Sequence, residues 1–300
     1  MKRVLVTGAS GFIGRQTLPL LLERGFEVHA LSSKPPRAMQ LPVEWHTVNL
    51  LDAPDLMPLM NRVRPSHLLH LAWYTQPKVY WSDPLNLNWV TASVALLIAF
   101  HASGGERILG VGTCAEYDWR FGFCSEDITP TIPNTLYGSC KLALAQLLQA
   151  YAGTTDLSWS WARVFYLYGP HEHPDRLVPA VVRALLRGVQ AECTSGTQTR
   201  DYLHVLDAAS ALVAILDSTA QGIVNVGSGK PVSISDVIST IASLIGREEL
   251  VAWGTVAQRT GDPPLLCADV RRLNQHVLWS PSVNLDDGIA STIDWWRQKI

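Results

Sequence analysis

A basic excess is missing from this sequence. Charged residues make up 17% of its 300 positions, and 24 Lys and Arg against 26 Asp and Glu give a formal net charge of -2. Without excess positive charge the chain has no general attraction to phosphate backbones or anionic lipid. Nucleic acid and membrane surfaces are therefore not expected as partners.

Paired cysteines and long apolar runs are missing as well. The five cysteines are odd in number and never spaced as Cys-x-x-Cys, which predicts reduced thiols and excludes a disulfide-stapled mini-protein. The apolar run after Lys2-Arg3 stops at Thr7, too short for a signal core, and no run reaches the roughly 20 residues that cross a bilayer. We therefore expect a cytoplasmic protein.

The order of apolar segments indicates the fold class. Hydrophobic residues account for 47% of the chain, and from residue 3 to residue 164 short strand patterns alternate with helical ones. This alternation predicts an α/β fold, a Rossmann-type doubly wound parallel sheet with a smaller C-terminal α/β substrate lobe. Residues 1–168, rejoined by 203–228, are assigned to the dinucleotide-binding domain. Residues 169–202 and 229–300 are assigned to the substrate-binding lobe.

A glycine-rich loop lies between the first predicted strand and the first predicted helix. Residues 7–14 are Thr-Gly-Ala-Ser-Gly-Phe-Ile-Gly. Gly8 permits a tight turn, Gly11 lets the backbone approach a pyrophosphate, and Gly14 lets the helix pack closely. The helix amino terminus then offers unpaired N–H groups to the phosphates. The predicted cofactor contacts of this loop are Gly8, Ser10, Gly11, Phe12, Ile13 and Gly14.

The end of the second predicted strand indicates the type of dinucleotide. In NAD binders an acidic residue here holds the ribose hydroxyls, but this strand ends in Leu31-Ser32-Ser33-Lys34. Hydroxyls followed by basic residues suit a 2'-phosphate, so we expect NADP(H) as the preferred cofactor, with NAD(H) as the second possibility. The alternative interpretation is that Ser33, Lys34 and Arg37 are ordinary loop residues. Residues 49–52, Asn-Leu-Leu-Asp, follow the third predicted strand and either border the adenine or form a solvated turn. The predicted contacts here are Ser32, Ser33, Lys34, Arg37, Asn49 and Leu50.

A tyrosine and a lysine four residues apart form the candidate catalytic pair. Tyr137 and Lys141 fall on one face of a predicted helix. Tyrosine titrates near pH ~10, so a base working near neutrality needs about 4 kcal/mol of anion stabilisation, which a close cation helps to supply. Thr113, at the end of the fifth predicted strand, reaches the same sheet edge. Alone, Tyr-x-x-x-Lys is commonly a surface pair, so its weight comes from the glycine loop.

Together these residues resemble the extended short-chain dehydrogenase/reductases, in the branch of nucleotide-sugar epimerases, dehydratases and ketoreductases. The resemblance covers essentially the whole chain. Besides the glycine loop and the Tyr/Lys pair, it includes His70-Leu71-Ala72, Asn88, residues 112–117, residues 163–170, residues 200–205, residues 225–229 and Trp295-Trp296.

The resemblance implies a mechanism and further site residues. Tyr137 exchanges a proton with the sugar C4 oxygen while the nicotinamide exchanges hydride with C4. Thr113 polarises that oxygen, and Lys141 holds the ribose and lowers the pKa of the tyrosine. The implied cofactor contacts are Leu71, Ala72, Asn88, Tyr137 and Lys141. The implied substrate contacts are Thr113, Cys114, Tyr166, Arg200 and Arg259, where the two arginines pair with the diphosphate or, alternatively, form surface or interface salt bridges.

Departures from the family pattern narrow the reaction. Dehydratases follow the Thr with an Asp-Glu pair, whereas this chain has Cys114 and Ala115, which disfavours dehydration. Ala115 and Arg176 stand where the epimerase-reductases that make GDP-fucose use a Cys and a His, which disfavours that activity too. Tyr166 replaces an Asn often found before the Gly-Pro turn, so the usual contact to the sugar phosphate is in doubt.

The sequence predicts NADP(H)-dependent reduction of the C4 ketone of a nucleotide-linked 4-keto-6-deoxyhexose, in deoxysugar biosynthesis. The alternatives are a nucleotide-sugar 4-epimerase with tightly bound NAD, a reductase for small carbonyls, and a non-catalytic dinucleotide-binding regulatory protein. The sugar, the base and the C4 stereochemistry depend on loop positions that spacing does not place.

Two further expectations concern metals and assembly. His171-Glu172-His173 offers two loop histidines with no third ligand identifiable from sequence, so no metal site is predicted. The family resemblance implies a homodimer through the helices at 84–103 and 136–151.

Overall fold

The fold is built on a seven-stranded parallel sheet. The computed structural model describes residues 2–34, 41–52, 55–258 and 261–300. Within them the strands are β1 (Arg3–Thr7), β2 (Glu27–Ser32), β3 (Glu44–Thr47), β4 (His67–His70), β5 (Arg107–Thr113), β6 (Phe123–Cys124), β7 (Ser158–Val164), β8 (Tyr166–Tyr168), β9 (Ala191–Glu192), β10 (Thr199–His204), β11 (Gly222–Val226), β12 (Pro231–Ser233), β13 (Val251–Ala252) and β14 (Leu265–Ala268). The main sheet has the order β11-β7-β5-β4-β1-β2-β3.

Helices cover both faces of this sheet. They are α1 (Gly14–Glu23), α2 (Met57–Val63), α3 (Leu85–Ala102), α4 (Leu136–Ala152), α5 (Leu177–Leu186), α6 (Val205–Asp217), α7 (Ile234–Ile245), α8 (Arg271–His276) and α9 (Leu285–Arg297). Side chains alternate between faces along a strand. Accordingly, Val4 and Val6 pack with α1 and α6, while Leu5 packs with α2, α3 and α4. The predicted doubly wound α/β fold is confirmed.

The strand order reverses between β1 and β4. In open α/β sheets the carboxyl ends of the strands at such a point form a crevice that binds ligands. The loop after β1, the loop after β4 and the end of β5 meet there, and these segments contain the predicted glycine loop, Leu71, Ala72 and Thr113.

A second group of elements forms the remaining layer. β12, β10, β14 and β6 form a smaller sheet, with β8 paired to β10, and β13 pairs with β9. The helices α5, α7 and α9 share their own apolar core, which contains Val182, Ile238 and Ile293. β11 returns to the main sheet by pairing with β7. The bounds of the predicted lobes stay a prediction.

The helix α3 is unusually apolar. It has 18 residues and a mean hydropathy of 1.4, and in the described part of the chain it alone has the length and composition of a membrane span. Leu96, Leu97 and Phe100 pack in the core shared with α4 and the sheet, as in many core helices. Leu87 and Ile98 on its outer side are 55% and 51% exposed. The predicted dimer contact through this helix stays a prediction.

Candidate active site

The loop between β1 and α1 is a cradle that side chains would fill. Gly8 has a φ of +66°, and a Cβ there would lie 2.8 Å from the backbone nitrogen of Ala72. A Cβ on Gly14 would overlap the Gly8 carbonyl and lie 2.7 Å from Ala9 Cα. Only glycine therefore lets α1 begin this close to the loop. The bare backbone beside a helix amino terminus fits a dinucleotide pyrophosphate.

The end of β2 adjoins this cradle. The hydroxyls of Ser10 and Ser32 are hydrogen-bonded at 2.9 Å, and the Lys34 backbone nitrogen donates to Ser32 Oγ at 3.4 Å. Ser33 and Lys34 are exposed, while Arg37 lies outside the described residues. These groups fit the ribose end of either dinucleotide, because hydroxyls accept and donate hydrogen bonds and Lys34 can neutralise a phosphate.

A buried hydrogen-bond chain holds the loop after β4. Thr7 Oγ1 accepts from the backbone nitrogens of Leu71 and Ala72, both at 3.2 Å. The same hydroxyl is 2.7 Å from His70 Nδ1, and His70 Nε2 is 2.8 Å from Ser93 Oγ. Burial lowers the pKa of His70 to about 3, so the ring is neutral at pH 7. These hydrogen bonds hold Leu71 and Ala72, two predicted cofactor contacts, against Gly8.

The predicted adenine border is only partly assembled. The Asn49 side chain donates to Asp52 at 3.0 Å and accepts from the Leu51 backbone at 3.3 Å, so it closes a local turn. Leu50 is buried, and it lines a pocket of about 320 Å³ together with Asn88 on α3. The structure therefore brings Leu50 and Asn88 together, whereas the Asn49 side chain has the turn role that the sequence left as an alternative.

Thr113, Tyr137 and Lys141 meet at the end of β5. Thr113 is the last residue of β5, and its side chain lies beside Tyr137 in the first turn of α4, where it lowers the pKa of the phenol. Tyr137 and Lys141 are 8% and 4% exposed. A Cβ on Gly138 would overlap the carbonyl oxygen of Ala115, so this glycine lets α4 approach the end of β5. Sequence reasoning gave Gly138 no role.

The electrostatics of the pair differ from the expectation. Burial raises the pKa of Tyr137 above its ordinary value, and the neighbouring Tyr80 raises it further. Burial lowers the pKa of Lys141 to about 7, and Lys141 Nζ donates to the Val111 carbonyl at 2.8 Å. The predicted lowering of the Tyr137 pKa by Lys141 is not present in this structure, because the ammonium points to β5 and the phenol lies in apolar surroundings.

Glu116 is a buried carboxylate beneath the pair that sequence reasoning did not single out. It has no exposed surface, and its Oε1 accepts from the Thr113 backbone nitrogen at 2.8 Å. Trp161 Nε1 and Arg163 Nε donate to the same carboxylate at 3.0 Å and 2.7 Å. Its charge also raises the pKa of Lys141 against the effect of burial. Glu116 therefore fixes the backbone of Thr113.

Cys114, Tyr166 and Arg200, three of the predicted substrate residues, lie close together beside this centre, but Arg200 is already paired. Arg200 is 2% exposed and donates to Asp262 at 2.7 Å and to the Thr199 carbonyl at 2.8 Å. Its guanidinium carbon is 5.6 Å from the Tyr166 ring. Cys114 is buried, and burial raises its thiol pKa, so it is a neutral packing group. Arg259 lies outside the described residues.

A cleft of about 730 Å³ opens next to Tyr137. The Tyr80 and Trp81 rings pack on the Tyr137 ring, with centroids 4.9 Å and 5.7 Å away. Arg176 reaches across from the segment before α5, with its guanidinium carbon 5.1 Å from the Tyr80 ring. The cleft is lined by Pro77, Lys78, Tyr80, Trp81, Ser82, Asn134, Thr135, Leu136, Asp175, Arg176 and Leu177.

Asn86, which sequence reasoning passed over, shapes this aromatic loop. Its buried amide donates to the carbonyls of Tyr80 and Asp83 at 2.7 Å and 2.8 Å, and it accepts from Trp73 Nε1 at 2.9 Å. The Trp73 ring lies 3.8 Å from Lys141 Nζ. A cation over an indole face is attracted to it. Asn86 thus holds the aromatic residues that surround both catalytic candidates.

This fold and site define a dinucleotide-dependent enzyme of the extended short-chain dehydrogenase/reductase type. The model of the NAD dependent epimerase/dehydratase family matches residues 4–227, and the chain belongs to this family. MoeE5, solved with UDP-glucuronic acid and NAD, is 31% identical, with 99% of this chain and 100% of MoeE5 covered and a TM-score of 0.88.

Two further relatives show the spread of the family. The Thermus thermophilus UDP-glucose 4-epimerase, solved with NAD, is 28% identical over 99% of this chain and 100% of its own, with a TM-score of 0.87. UDP-glucuronic acid decarboxylase 1 of Xenopus tropicalis is 27% identical over 100% of this chain and 73% of its own length. The cofactor is thus an NAD(P) dinucleotide. Because these two relatives run different reactions, similarity alone does not select one.

Proposed function

We propose that this enzyme uses NADP(H) to reduce the C4 ketone of a nucleotide-linked 4-keto-6-deoxyhexose. The observation that carries the proposal is the meeting of Thr113, Tyr137 and Lys141 at the end of β5, beside the glycine cradle of β1 and α1. A proton donor, a hydroxyl that orients the oxygen and a cation are the groups that carbonyl reduction requires.

The residues of this chain have separate roles in that reaction. The nicotinamide supplies the hydride to C4 when bound. Tyr137 gives its phenolic proton to the C4 oxygen, and its raised pKa keeps it protonated for this step. Thr113 hydrogen-bonds that oxygen and the phenol. Lys141 hydrogen-bonds the ribose and, when it is protonated and turns from the Val111 carbonyl to the phenol, stabilises the tyrosinate that forms.

The shape of the cleft favours reduction over epimerisation. A 4-epimerase must present both faces of the ketone to the same face of the cofactor, so the sugar has to turn within the site. Tyr80 and Trp81 pack against Tyr137, and Trp119 packs on Trp81 with centroids 6.0 Å apart. These rings favour a single orientation of the sugar beside Tyr137.

A nucleotide-sugar 4-epimerase with tightly bound NAD is the second candidate. The Thermus thermophilus relative is such an epimerase by name, and both it and MoeE5 were solved with NAD. The polar end of β2 favours NADP(H) instead, since Ser32, Ser33 and Lys34 stand where an acidic residue would hold the ribose of NAD. The two candidates thus differ in both reaction and cofactor.

The test measures nicotinamide absorbance after the enzyme is mixed with NADPH or NADH and a panel of nucleotide-linked 4-keto-6-deoxyhexoses. We expect stoichiometric oxidation of NADPH, and we expect Tyr137→Phe to slow it about 10²–10⁴-fold with nucleotide binding retained. No oxidation with any member, together with NAD released from the denatured protein and conversion of a UDP-hexose to its C4 epimer, would refute the reductase. A Lys34→Ala variant with an unchanged preference between NADPH and NADH would refute the role given to Lys34.

We also propose that the protein is a cytoplasmic homodimer that associates through α3 and α4. Leu87 and Ile98 on α3 and Leu147 on α4 are exposed apolar side chains, which supports a contact on these helices. Sedimentation velocity of the wild-type protein and of Ile98→Glu tests it. A monomer at micromolar concentration for the wild type would refute the dimer.

A further inference from the structure

Two adjacent strands carry the same tripeptide pattern. β2 begins with Glu27-Val28-His29, and β3 begins with Glu44-Trp45-His46. The strands are parallel, with His29 opposite Glu44 and Leu31 opposite His46. Because side chains two apart share a face of a strand, the register gathers His29, Glu44 and His46 on one face at the sheet edge. None of the three belongs to the site described above.

The three donor atoms have the spacing of metal ligands. His29 Nδ1 is 3.0 Å from His46 Nε2. The two oxygens of Glu44 are shared between them, with Oε2 3.6 Å from His29 Nδ1 and Oε1 3.7 Å from His46 Nε2. Ligands about 2.0–2.1 Å from a tetrahedral zinc ion lie about 3.3 Å from one another. The observed edges bracket this value. With one oxygen from Glu44, the three donor atoms lie within 4.8 Å of one another, so a turn of the exposed Glu44 carboxylate brings them to one face of a zinc tetrahedron.

The surroundings of His29 suit a metal ligand. Both histidines are buried, at 4% and 6% exposed, while the Glu44 side chain is 61% exposed at the edge. The other ring nitrogen of His29, Nε2, is 3.1 Å from Glu27 Oε1. A carboxylate that accepts from the outer N–H orients the ring and leaves Nδ1 free for the ion.

Arg62 on α2 opposes metal binding through Nε2 of His46. Its guanidinium lies 3.2 Å from His46 Nδ1, and arginine only donates, so that nitrogen accepts and Nε2 carries the proton. Metal on Nε2 requires the proton to move to Nδ1, where it would face the arginine. Arg62 is an exposed side chain and is free to swing away, so it competes with the ion without blocking it.

We propose that His29, Glu44 and His46 bind one divalent transition metal ion, with zinc the best match, at the edge formed by β2 and β3. Two imidazoles and one carboxylate are borderline ligands that suit zinc, cobalt and nickel more than magnesium or calcium. Three protein ligands leave a fourth position for water. The ion would clamp the edge strand β3 to β2 and stabilise the fold, with no part in the chemistry at Tyr137.

Isothermal titration of tag-free, chelator-treated protein with zinc sulfate tests the proposal, and cobalt absorbance reports the geometry. We expect one ion per chain at micromolar affinity, a tetrahedral cobalt spectrum, and a higher thermal midpoint with zinc. Glu44→Gln should weaken binding about ten-fold or more, and His29→Asn combined with His46→Asn should abolish it. His276→Asn, which removes an exposed histidine at the end of α8, is the matched control and should bind as wild type.

Arg62→Glu gives the sharpest test, because it replaces a donor facing His46 Nδ1 with an acceptor. We expect zinc to bind about ten-fold more tightly, as carboxylate partners of ligating histidines do elsewhere. Arg62 and Glu44 are surface side chains, so both variants should fold even if the double histidine variant does not. No zinc binding by wild type and Arg62→Glu, or binding that Glu44→Gln leaves unchanged, would overturn the assignment.

Discussion

Replacing Glu116 with Gln should destabilise the fold strongly while keeping its shape. The carboxylate is fully buried, and its ion pair with Arg163 joins two side chains that are 0% and 4% exposed. Gln keeps an oxygen that can accept from the Thr113 backbone and from Trp161, but it places an NH2 donor opposite Arg163 Nε. The change therefore removes both the charge and the acceptor that Arg163 pairs with. Arg163 would then be a buried guanidinium without its counter-charge.

The magnitude follows from that burial. Breaking a buried ion pair by removing one partner costs about 3–5 kcal/mol, because the other charge stays desolvated. Total stabilities of domains are about 5–15 kcal/mol, so this is a large share. For a chain of this length each kcal/mol corresponds to about 2 °C, so the thermal midpoint should fall by about 6–10 °C.

Activity should respond in a way that a purely structural loss does not explain. Glu116 raises the pKa of Lys141, which burial lowers to about 7, so its neutralisation should lower that pKa further. Fewer Lys141 ammonium groups remain at neutral pH, and the kcat of Glu116→Gln relative to wild type should rise as the pH is lowered below about 7. The pH profile of kcat under saturating substrate measures this.

A double-variant cycle gives the refuting result. If the cost is the unpaired charge of Arg163, then Glu116→Gln with Arg163→Met should lose less than the sum of the single losses. Denaturant unfolding of the four proteins measures the coupling. A loss below about 1 kcal/mol in Glu116→Gln, or additive losses in the double variant, would show that the pair does not act as argued.

Three further changes test the cradle, the catalytic pair and a buried histidine. Gly14→Ala should abolish NAD(P) binding measured by calorimetry. The control Gly153→Ala, whose Cβ would meet only carbonyl oxygens at 3.4 Å and 3.5 Å, should bind normally. Equal affinities of the two variants would contradict a role of the loop between β1 and α1 in binding the cofactor. Tyr137→Phe should lower kcat about 10²–10⁴-fold with nucleotide affinity unchanged, and a loss under ten-fold would remove the phenol from the proton step. Because the pKa of His70 is about 3 in the fold and about 6.5 unfolded, the unfolded state takes up the proton first as the pH falls. Urea unfolding should lose about 2 kcal/mol between pH ~7 and pH ~5 through His70, a loss that His70→Asn should remove; an equal pH slope in both proteins would contradict the shift.

Local signals explain which elements the sequence predicts well. The apolar pattern of the sequence predicts a helix from Ile234 to Ile245, and α7 has these bounds. Its apolar face repeats at helical spacing between Ser233, which accepts from the Asp236 backbone, and Gly246 with a φ of +74°. The strands β8, β9, β12 and β13 have only two or three residues, which is too short for an alternating pattern to stand out. The sequence also predicts a helix from residue 53 to residue 62. The structure has α2 at Met57–Val63, and residues 53–54 lie outside the described residues.

The residues of the candidate site also differ in how well the sequence predicts them. Thr113, Tyr137 and the three glycines are predictable because each follows a strand end or has a fixed spacing on a helix. Glu116 was missed because its partner Arg163 lies far along the chain. Asn86 was missed because its bonds to Trp73, Tyr80 and Asp83 depend on the path of an irregular loop that has no sequence period. The pKa of Tyr137 was predicted with the wrong sign, since sequence spacing shows a nearby cation but not the burial that outweighs it.

The cluster of His29, Glu44 and His46 at the sheet edge shows what additional information would identify site residues that the sequence alone does not single out. Glu-x-His on β2 and Glu-x-His on β3 are each unremarkable, and a shift of one residue in the pairing would send the two histidines to opposite faces. Once the parallel register is known, with His29 opposite Glu44, the two Glu and two His side chains of these motifs must lie on the same face of the sheet. Strand order and register are therefore the missing step between these motifs and chemistry, and they decide whether paired short patterns form one site or two separate surfaces.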